Sequence, residues 1–429
     1  MLLRNAILAT LDPPAVAAAD LRIGGDRIVE RGAGLAPHPD EEVLDLEGAL
    51  VMPGLVNSHT HLYSALARGM PGPALHPRNF REILERVWWR LDRVLDEEMV
   101  FLSALVGAVE AALSGTTVLI DHHSSPSFIR GSLSCLKRAI ESVGLRSVLC
   151  YEVTDRNGAA GRDAGLAENA SFLRGGATAL SAGLVGAHAS FTLGDEAMTA
   201  LGALIATSGR PVHIHVAEDR ADVDDCRARY GQALLERLGR HGLLPRALLA
   251  HCVHLAPEEM AAAQEKGAWI AHNPRSNMNN AVGYAPTRAL SRAALGTDGM
   301  DQDLLAEARA AFLQMRESGR DDAFAAALSL LAGGHRLAAA LTGLPLGALT
   351  PGAPADLVVL DYQPPTPLDT ANVGAHLLFG LDRSHVRDVM VAGRWIVRGR
   401  RLLTLDAGEA FARSRQAARG LWQRMAGLP

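Results

Sequence analysis

Short apolar strands alternate with alanine-rich helices between about residues 51 and 350, and this alternation constrains the fold more than any other feature. The strand segments are Val51–Val56, Thr116–Ile120, Arg146–Tyr151, Leu184–Ala187, Val212–Val216, Leu248–Ala250, Trp269–Ala271 and Ala294–Leu295. Helical spacing of apolar residues fills the gaps, as in Glu97–Ser114, Ser132–Val143 and Pro257–Lys266. Eight strand–helix units in that length predict an α/β fold, a (β/α)8 TIM barrel. A doubly wound open sheet is the alternative, but no GxGxxG follows the first strand.

Both ends of the chain have a different character. Ala6–Leu11, Leu21–Ile23, Arg27–Val29 and Glu42–Leu46 are short strand-like runs, with a hairpin turn at Gly24-Gly25-Asp26. Asp356–Leu360, Val386–Val391 and Trp395–Val397 repeat the pattern at the far end. The expected organisation is a β-sandwich from residues 1–52 plus 351–405, a catalytic barrel from 53–350, and a C-terminal helix in 406–429. That helix places Phe411, Ala418, Leu421, Trp422 and Met425 at helical spacing, to pack on the barrel or on a neighbouring chain. The segment Leu62–Asp96 reads as a long loop whose Phe80, Trp88 and Trp89 could cover a ligand.

With 48% hydrophobic and 21% charged residues, the chain is not disordered. A net charge of −5 argues against nucleic acid as a partner. Cys135, Cys150, Cys226 and Cys252 form no CxxC pair, which suits a reducing compartment. The N-terminus lacks the pattern of a signal peptide. The most apolar stretch, Met99 to Leu113, is broken by Ser103 and Glu110 and reads as a core helix rather than a membrane span. The expected location is the cytoplasm. A homo-oligomer is expected, with a dimer the commonest form.

The polar residues cluster where strands end. His59-Thr60-His61 closes the first strand, His188 follows the fourth, and His215-Val216-Ala217-Glu218 closes the fifth. His251 ends the sixth, and Asp298 follows the eighth in Gly296-Thr297-Asp298-Gly299. Each piece alone has an ordinary reading: a hydrogen-bonded histidine, a helix cap or a turn. In a barrel, however, the C-terminal strand ends meet on one face. Imidazoles and a carboxylate gathered there suit one divalent first-row metal ion, Zn2+ first, with Fe2+ or Mn2+ as alternatives.

Met52-Pro53-Gly54-Leu55-Val56-Asn57-Ser58-His59-Thr60-His61, His215-Val216-Ala217-Glu218, His251 and Thr297-Asp298 resemble the amidohydrolase superfamily. Pro351-Gly352-Ala353-Pro354-Ala355-Asp356-Leu357-Val358 is similar to the strand by which those chains re-enter their small β-domain. Within the superfamily the likeness is to the mononuclear aminohydrolase branch, which includes guanine, cytosine and adenosylhomocysteine deaminases and triazine hydrolases. Trp88-Trp89-Arg90-Leu91-Asp92, Asp121-His122-His123-Ser124-Ser125-Pro126 and His272-Asn273-Pro274-Arg275-Ser276-Asn277 look closest to its SsnA group. Two-metal members generally bridge their ions with a carboxylated lysine or a carboxylate. The two lysines here, Lys137 and Lys266, fall in helices, leaving Glu152 as the one group able to bridge a second ion.

The resemblance implies a metal held by His59, His61, His215 and Asp298. It implies Glu218 as proton shuttle, His251 beside the attacking water, and Asp298 also as proton acceptor. The implied reaction is deamination of an amino-substituted N-heterocycle, a purine, pyrimidine, pterin or triazine-like ring, with release of ammonia. Opening of a hydantoin-like or oxidised purine ring, or hydrolytic dehalogenation, is the alternative. A barrel kept only for binding would show degraded catalytic positions, and none is degraded here. Candidate substrate contacts are His188, His122, His123, Trp88, Asn273, Arg275 and Asn277. Because Trp88 and Trp89 are adjacent on a helix, at most one of them is expected to face the ring.

Overall fold

The computed structural model describes residues 1–428. Both termini build one nine-stranded sheet, from β1 (Leu2–Leu11), β2 (Pro14–Gly24), β3 (Arg27–Gly32), β4 (Val43–Asp45) and β5 (Leu50–Pro53). A second set of sheet strands comes from the far end of the chain. These are β15 (Leu357–Leu360), β16 (Val386–Val391), β17 (Arg394–Arg398) and β18 (Arg401–Leu402). The strand order is β18-β17-β16-β15-β5-β1-β2-β3, with β4 beside β1. β15 joins the two halves by pairing antiparallel with β5, Leu357 opposite Pro53. The sheet closes over its own core of Leu3, Leu8, Leu21, Ile28, Val51, Leu357, Val359 and Met390.

The barrel runs through β6 (Leu55–Thr60), β7 (Thr116–His123), β8 (Arg146–Tyr151), β9 (Ser181–Gly183) and β10 (Val185–Ala189). It continues through β11 (Val212–Val216), β12 (Leu248–His251), β13 (Trp269–His272) and β14 (Ala293–Leu295). β9 and β10 are one barrel strand interrupted at Leu184. All neighbouring pairs are parallel, and bridges at Val153–Ala187 and Thr60–Asp298 close the ring. Every barrel strand but β9, where Ala182 is half-buried, is buried along its length, as helices on the outer face and side chains within require.

Val51–Val56 is two strands rather than one. The chain leaves the terminal sheet after Pro53 and enters the barrel at Leu55, and Gly54 makes the crossing. Its N–H donates to the Asp356 carbonyl at 3.0 Å. A Cβ there would lie 2.1 Å from Thr117 Cγ2. The segment Leu62–Asp96 is not a plain loop either. A 3-10 turn, Leu62–Ala67, and a helical run from Phe80 to Val94 carry the aromatic residues.

The C-terminal helix Ala407–Ala426 packs on the barrel. Leu421 is fully buried, and Trp422 Nε1 donates to the Leu66 carbonyl at 2.9 Å. The helix beginning at Glu97 is a core helix, as expected, and a second apolar helix, Ala323–Thr342, lies later in the chain. It is long and apolar enough to cross a bilayer, yet 67% of that stretch is buried, against β6 and β14. Its Gly333 lets it touch the barrel directly, since a Cβ would lie 1.9 Å from the Ala293 carbonyl oxygen.

Candidate active site and metal centre

Period-two alternation along a strand sends residues i and i+2 to one side. On β11 it turns both His213 and His215 inward, and at the end of β6 it does the same for His59 and His61. Asp298 arrives from beyond β14, tied to β6 because Thr297 N and Asp298 N both donate to the His59 carbonyl at 2.9 Å. Asp298 Oδ1 lies 3.3 Å from His59 Nε2 and 3.0 Å from His61 Nε2. His61 Nε2 and His215 Nε2 are 3.1 Å apart. One ligand atom from each of His59, His61, His215 and Asp298 falls within 4.8 Å of all the others.

The hydrogen bonds fix the tautomers. His61 Nδ1 donates to the His122 carbonyl at 2.6 Å, and His215 Nδ1 to the His188 carbonyl at 2.9 Å. In the neutral form that a ligand must take, each Nε2 is therefore a bare lone pair. Two lone pairs facing each other at that separation repel unless a cation lies between them. His59 Nδ1 pairs with His213 Nε2 at 2.9 Å, and His59 Nε2 is buried with no hydrogen-bond partner. Three aligned imidazole lone pairs and a carboxylate oxygen form a donor set that fits one divalent ion. Burial holds His59 down to about 3 and His215 well below its ordinary range, so both are neutral, as ligands must be. Burial also opposes a proton on His61, but the Asp298 carboxylate outweighs it and lifts this ring to about 9. The pocket thus demands positive charge at that point.

Glu218 leaves β11 three residues beyond His215. Its Oε2 lies 3.5 Å from His251 Nε2, and its Oε1 accepts from Asn280 Nδ2 at 3.2 Å. Burial, reinforced by the Asp298 charge against the pull of His251, raises its carboxyl to about 7. The His251 ring is aimed by Asn277, whose Oδ1 accepts from Nδ1 at 2.8 Å, leaving His251 Nε2 buried and unpartnered. Ser276 donates its hydroxyl to Asp298 Oδ2. The backbone here is strained: Ala217, His251, Cys252 and Asp298 all have φ between 47° and 74°. Non-glycine residues in that region cost roughly 1–3 kcal/mol each and cluster at working sites.

A cavity of about 410 Å³ opens onto this cluster and is bordered by His61, His215, Glu218 and Asp298. His188 and Trp88 border it as expected. Trp89 borders it too, contrary to the expectation of one tryptophan: the turn Leu84–Trp88 is π-helical, which changes the angle between neighbouring side chains. The other expected contacts lie beneath or beside the cavity. His122 is fully buried, with Nε2 between the Ala187 and His213 carbonyls at 3.0 and 3.2 Å. His123 is buried, with Nε2 2.8 Å from Ser125 Oγ. Asn273 and Asn277 turn toward His251, because a short helix, Pro274–Asn279, begins directly after β13. Arg275 is taken up by ion pairs with Glu307 and Asp301.

Sequence reading passed over His213 and Arg156, and weighed Glu152 only as a bridge to a second ion. His213 orients His59, and its place two residues before His215 was the available signal. Glu152 borders the cavity. Arg156, four residues later, sits 3.3 Å from Glu152 Oε1, pairs with Asp92, and lies 5.1 Å over the Trp89 ring. Glu152 also forms, with His122 and His215, a second group of donor atoms within 4.8 Å of one another.

The amidohydrolase family model matches residues 50–396. A 5-methylthioadenosine/S-adenosylhomocysteine deaminase of Desulforudis audaxviator is 32% identical over 423 residues, covering 94% of each chain. The chain belongs to the amidohydrolase family. A 5'-deoxyadenosine deaminase of Methanosarcina mazei is 30% identical, covering 99% of both chains. The fold is also that of an adenosine deaminase from Xanthomonas campestris with bound zinc, at a TM-score of 0.85, 24% identity and 98% coverage of both chains. An atrazine chlorohydrolase from Arthrobacter aurescens, complexed with zinc, superimposes at 0.83 with 21% identity, covering 97% of this chain and 99% of its own. The barrel and β-domain of this amidohydrolase are therefore shared widely, and its metal site lies where the fold brings the strand ends together.

Proposed function

We propose that this chain uses one zinc ion to deaminate an amino-substituted N-heterocycle, releasing ammonia. Family membership and the deaminase relatives make it a metal-dependent hydrolase of carbon–nitrogen bonds acting on small heterocycles. The observation that carries the finer reading is a non-ligand carboxyl, Glu218, placed beside the four-atom donor set of His59, His61, His215 and Asp298.

His59, His61, His215 and Asp298 would hold a divalent ion, which when bound would lower the pKa of a water to about 7 and so supply a nucleophile at neutral pH. The protein's own groups do the rest. Asp298 and the His251 Nε2 lone pair orient the water and accept its proton. Glu218, protonated in an appreciable fraction near neutrality, gives a proton to the ring nitrogen beside the amino-bearing carbon. Oxygen bonds to that carbon, the proton taken from the water passes to the departing nitrogen, and the carbon–nitrogen bond breaks to release ammonia while the new hydroxyl returns a proton to Glu218. Phe80, Trp88 and Trp89 flank a planar ring and exclude bulk water. The test is an ammonia-release screen of the metal-loaded protein over aminopurines, aminopyrimidines, pterins and triazines. Ammonia without ring opening supports the reading. Release of a carboxylate-bearing product or of halide, with no ammonia, overturns it.

A further inference from the structure

The wall of the cavity away from Glu218 has its own chemistry. Glu152 follows β8 and His188 ends β10, side by side because Val153 N donates to the Gly186 carbonyl at 3.2 Å and His188 N to the Val153 carbonyl at 2.9 Å. Both border the cavity. Among the described residues, the neighbours of the Glu152 carboxylate within hydrogen-bond range are Arg156 Nη2 at 3.3 Å and His122 Nδ1 at 3.4 Å. Both contacts are long, and a carboxylate has about four acceptor sites. At 3% exposure, Glu152 has almost no solvent to fill the remainder. Arg156, itself anchored on Asp92, holds the carboxylate in place.

His188 is committed in the same sense. The Thr192 hydroxyl donates to the Ala189 carbonyl at 3.0 Å, so its oxygen accepts from His188 Nδ1 at 2.8 Å. With Nδ1 spent on that bond, Nε2 is the ring nitrogen left for a ligand, and in this tautomer it accepts. The Glu152 carboxylate accepts as well.

We propose that Glu152 sets the substrate class: together with His188 it forms a wall of acceptors, and the substrate is an aminated heterocycle that carries an N–H donor on the ring edge facing them. This rests on the aminohydrolase reading above and narrows it. An N9-substituted adenine cannot meet the demand, because its ring nitrogens carry lone pairs only. Guanine-like and pterin-like rings, which pair an amino carbon with an adjacent lactam N–H, can. The donor belongs to the ring and not to an attached sugar. A carboxylate oxygen of Glu152 lies within 4.8 Å of a ring nitrogen of the ligand His215, about one ring's breadth from the reacting centre.

The experiment compares kcat/KM of the metal-loaded wild type and Glu152→Gln on guanine and pterin against adenosine and 5'-deoxyadenosine, with metal content measured in both proteins. A site built to pair a donor rejects its absence strongly, so the wild type should favour the lactam rings by at least about 100-fold. In Glu152→Gln one acceptor becomes a donor, and the lactam-to-adenosine ratio should fall by about 100-fold. A wild type that prefers adenosine overturns the proposal. So does a Gln variant that slows both classes equally, which would mark Glu152 as a support for His122 and Arg156 alone. If the variant does not fold, the wild-type ratio decides by itself. Ammonia from adenine nucleosides alone sinks only this inference, whereas no ammonia from any of the wider panel of aminopurines, aminopyrimidines, pterins and triazines sinks the aminohydrolase reading beneath it.

Discussion

Replacing Glu218 with Gln removes a proton and almost nothing else. The side chain keeps its size, and its amide oxygen can still accept from Asn280 at the 3.2 Å position. Glu218 is not one of the four atoms that converge on the metal point, so the ion should stay. What is lost is delivery of a proton to the substrate nitrogen. A positioned acid–base group is worth about 10²–10⁴ in rate, or roughly 3–5 kcal/mol at 1.36 kcal/mol per decade. The expected result is kcat/KM down by about that factor on the best heterocycle found, with metal content equal to wild type. Steady-state ammonia release and elemental analysis of the same preparation measure both. Full activity in Glu218→Gln would refute the assignment. Loss of the metal would show that Glu218 is a ligand instead.

The other predictions concern the frame that holds the site. Asp356 accepts two bonds from Arg146 across the junction of the terminal sheet and the barrel, at 2.7 and 3.1 Å, both side chains buried. Asp356→Ala leaves a buried guanidinium unpaired and should cost about 3–5 kcal/mol in chemical denaturation; a loss below 1 kcal/mol would contradict this. Gly54→Ala drives a Cβ into Thr117 and should cost roughly 1–3 kcal/mol, most of it recovered in a Gly54→Ala, Thr117→Ala double variant. The Arg22 guanidinium, helped by the His38 N–H, holds Glu41 down to about 2 from 4.5. Its folded value is depressed, so its stabilisation is present in full above about 4.5 and disappears as pH falls through 2. Melting curves of wild type and Glu41→Gln should therefore differ at pH 7 and converge at low pH; a gap that widens in acid would reverse the sign.

The barrel was legible because its period is legible: apolar runs of strand length alternate with helical spacing, and Ser132–Val143 appears as read. The donor set was legible for a related reason. Strand ends are where a barrel gathers polar groups, so His59, His61, His215, His251 and Asp298 could be placed together before any coordinates. Reading failed where local geometry departs from regular strand or helix. The crossing at Gly54 depends on contact with Thr117, from a strand far along the sequence. The paired exposure of Trp88 and Trp89 depends on one π-helical turn. After β13 the chain coils at once into Pro274–Asn279, and Asn273, Arg275 and Asn277 brace His251 and the helix Leu304–Glu317 instead of reaching the cavity. Glu152 and Arg156 stood in no motif; only the fold shows that one walls the cavity and the other pins it.

The most direct test is metal stoichiometry joined to location: elemental analysis of the chain and anomalous diffraction at the metal edge, on wild type and on Asp298→Ala. One ion per wild-type chain, between the Nε2 atoms of His59, His61 and His215 and the Asp298 carboxylate, and absent from the variant, is the predicted outcome. Two ions per chain, or one that Asp298→Ala retains unchanged, would contradict it.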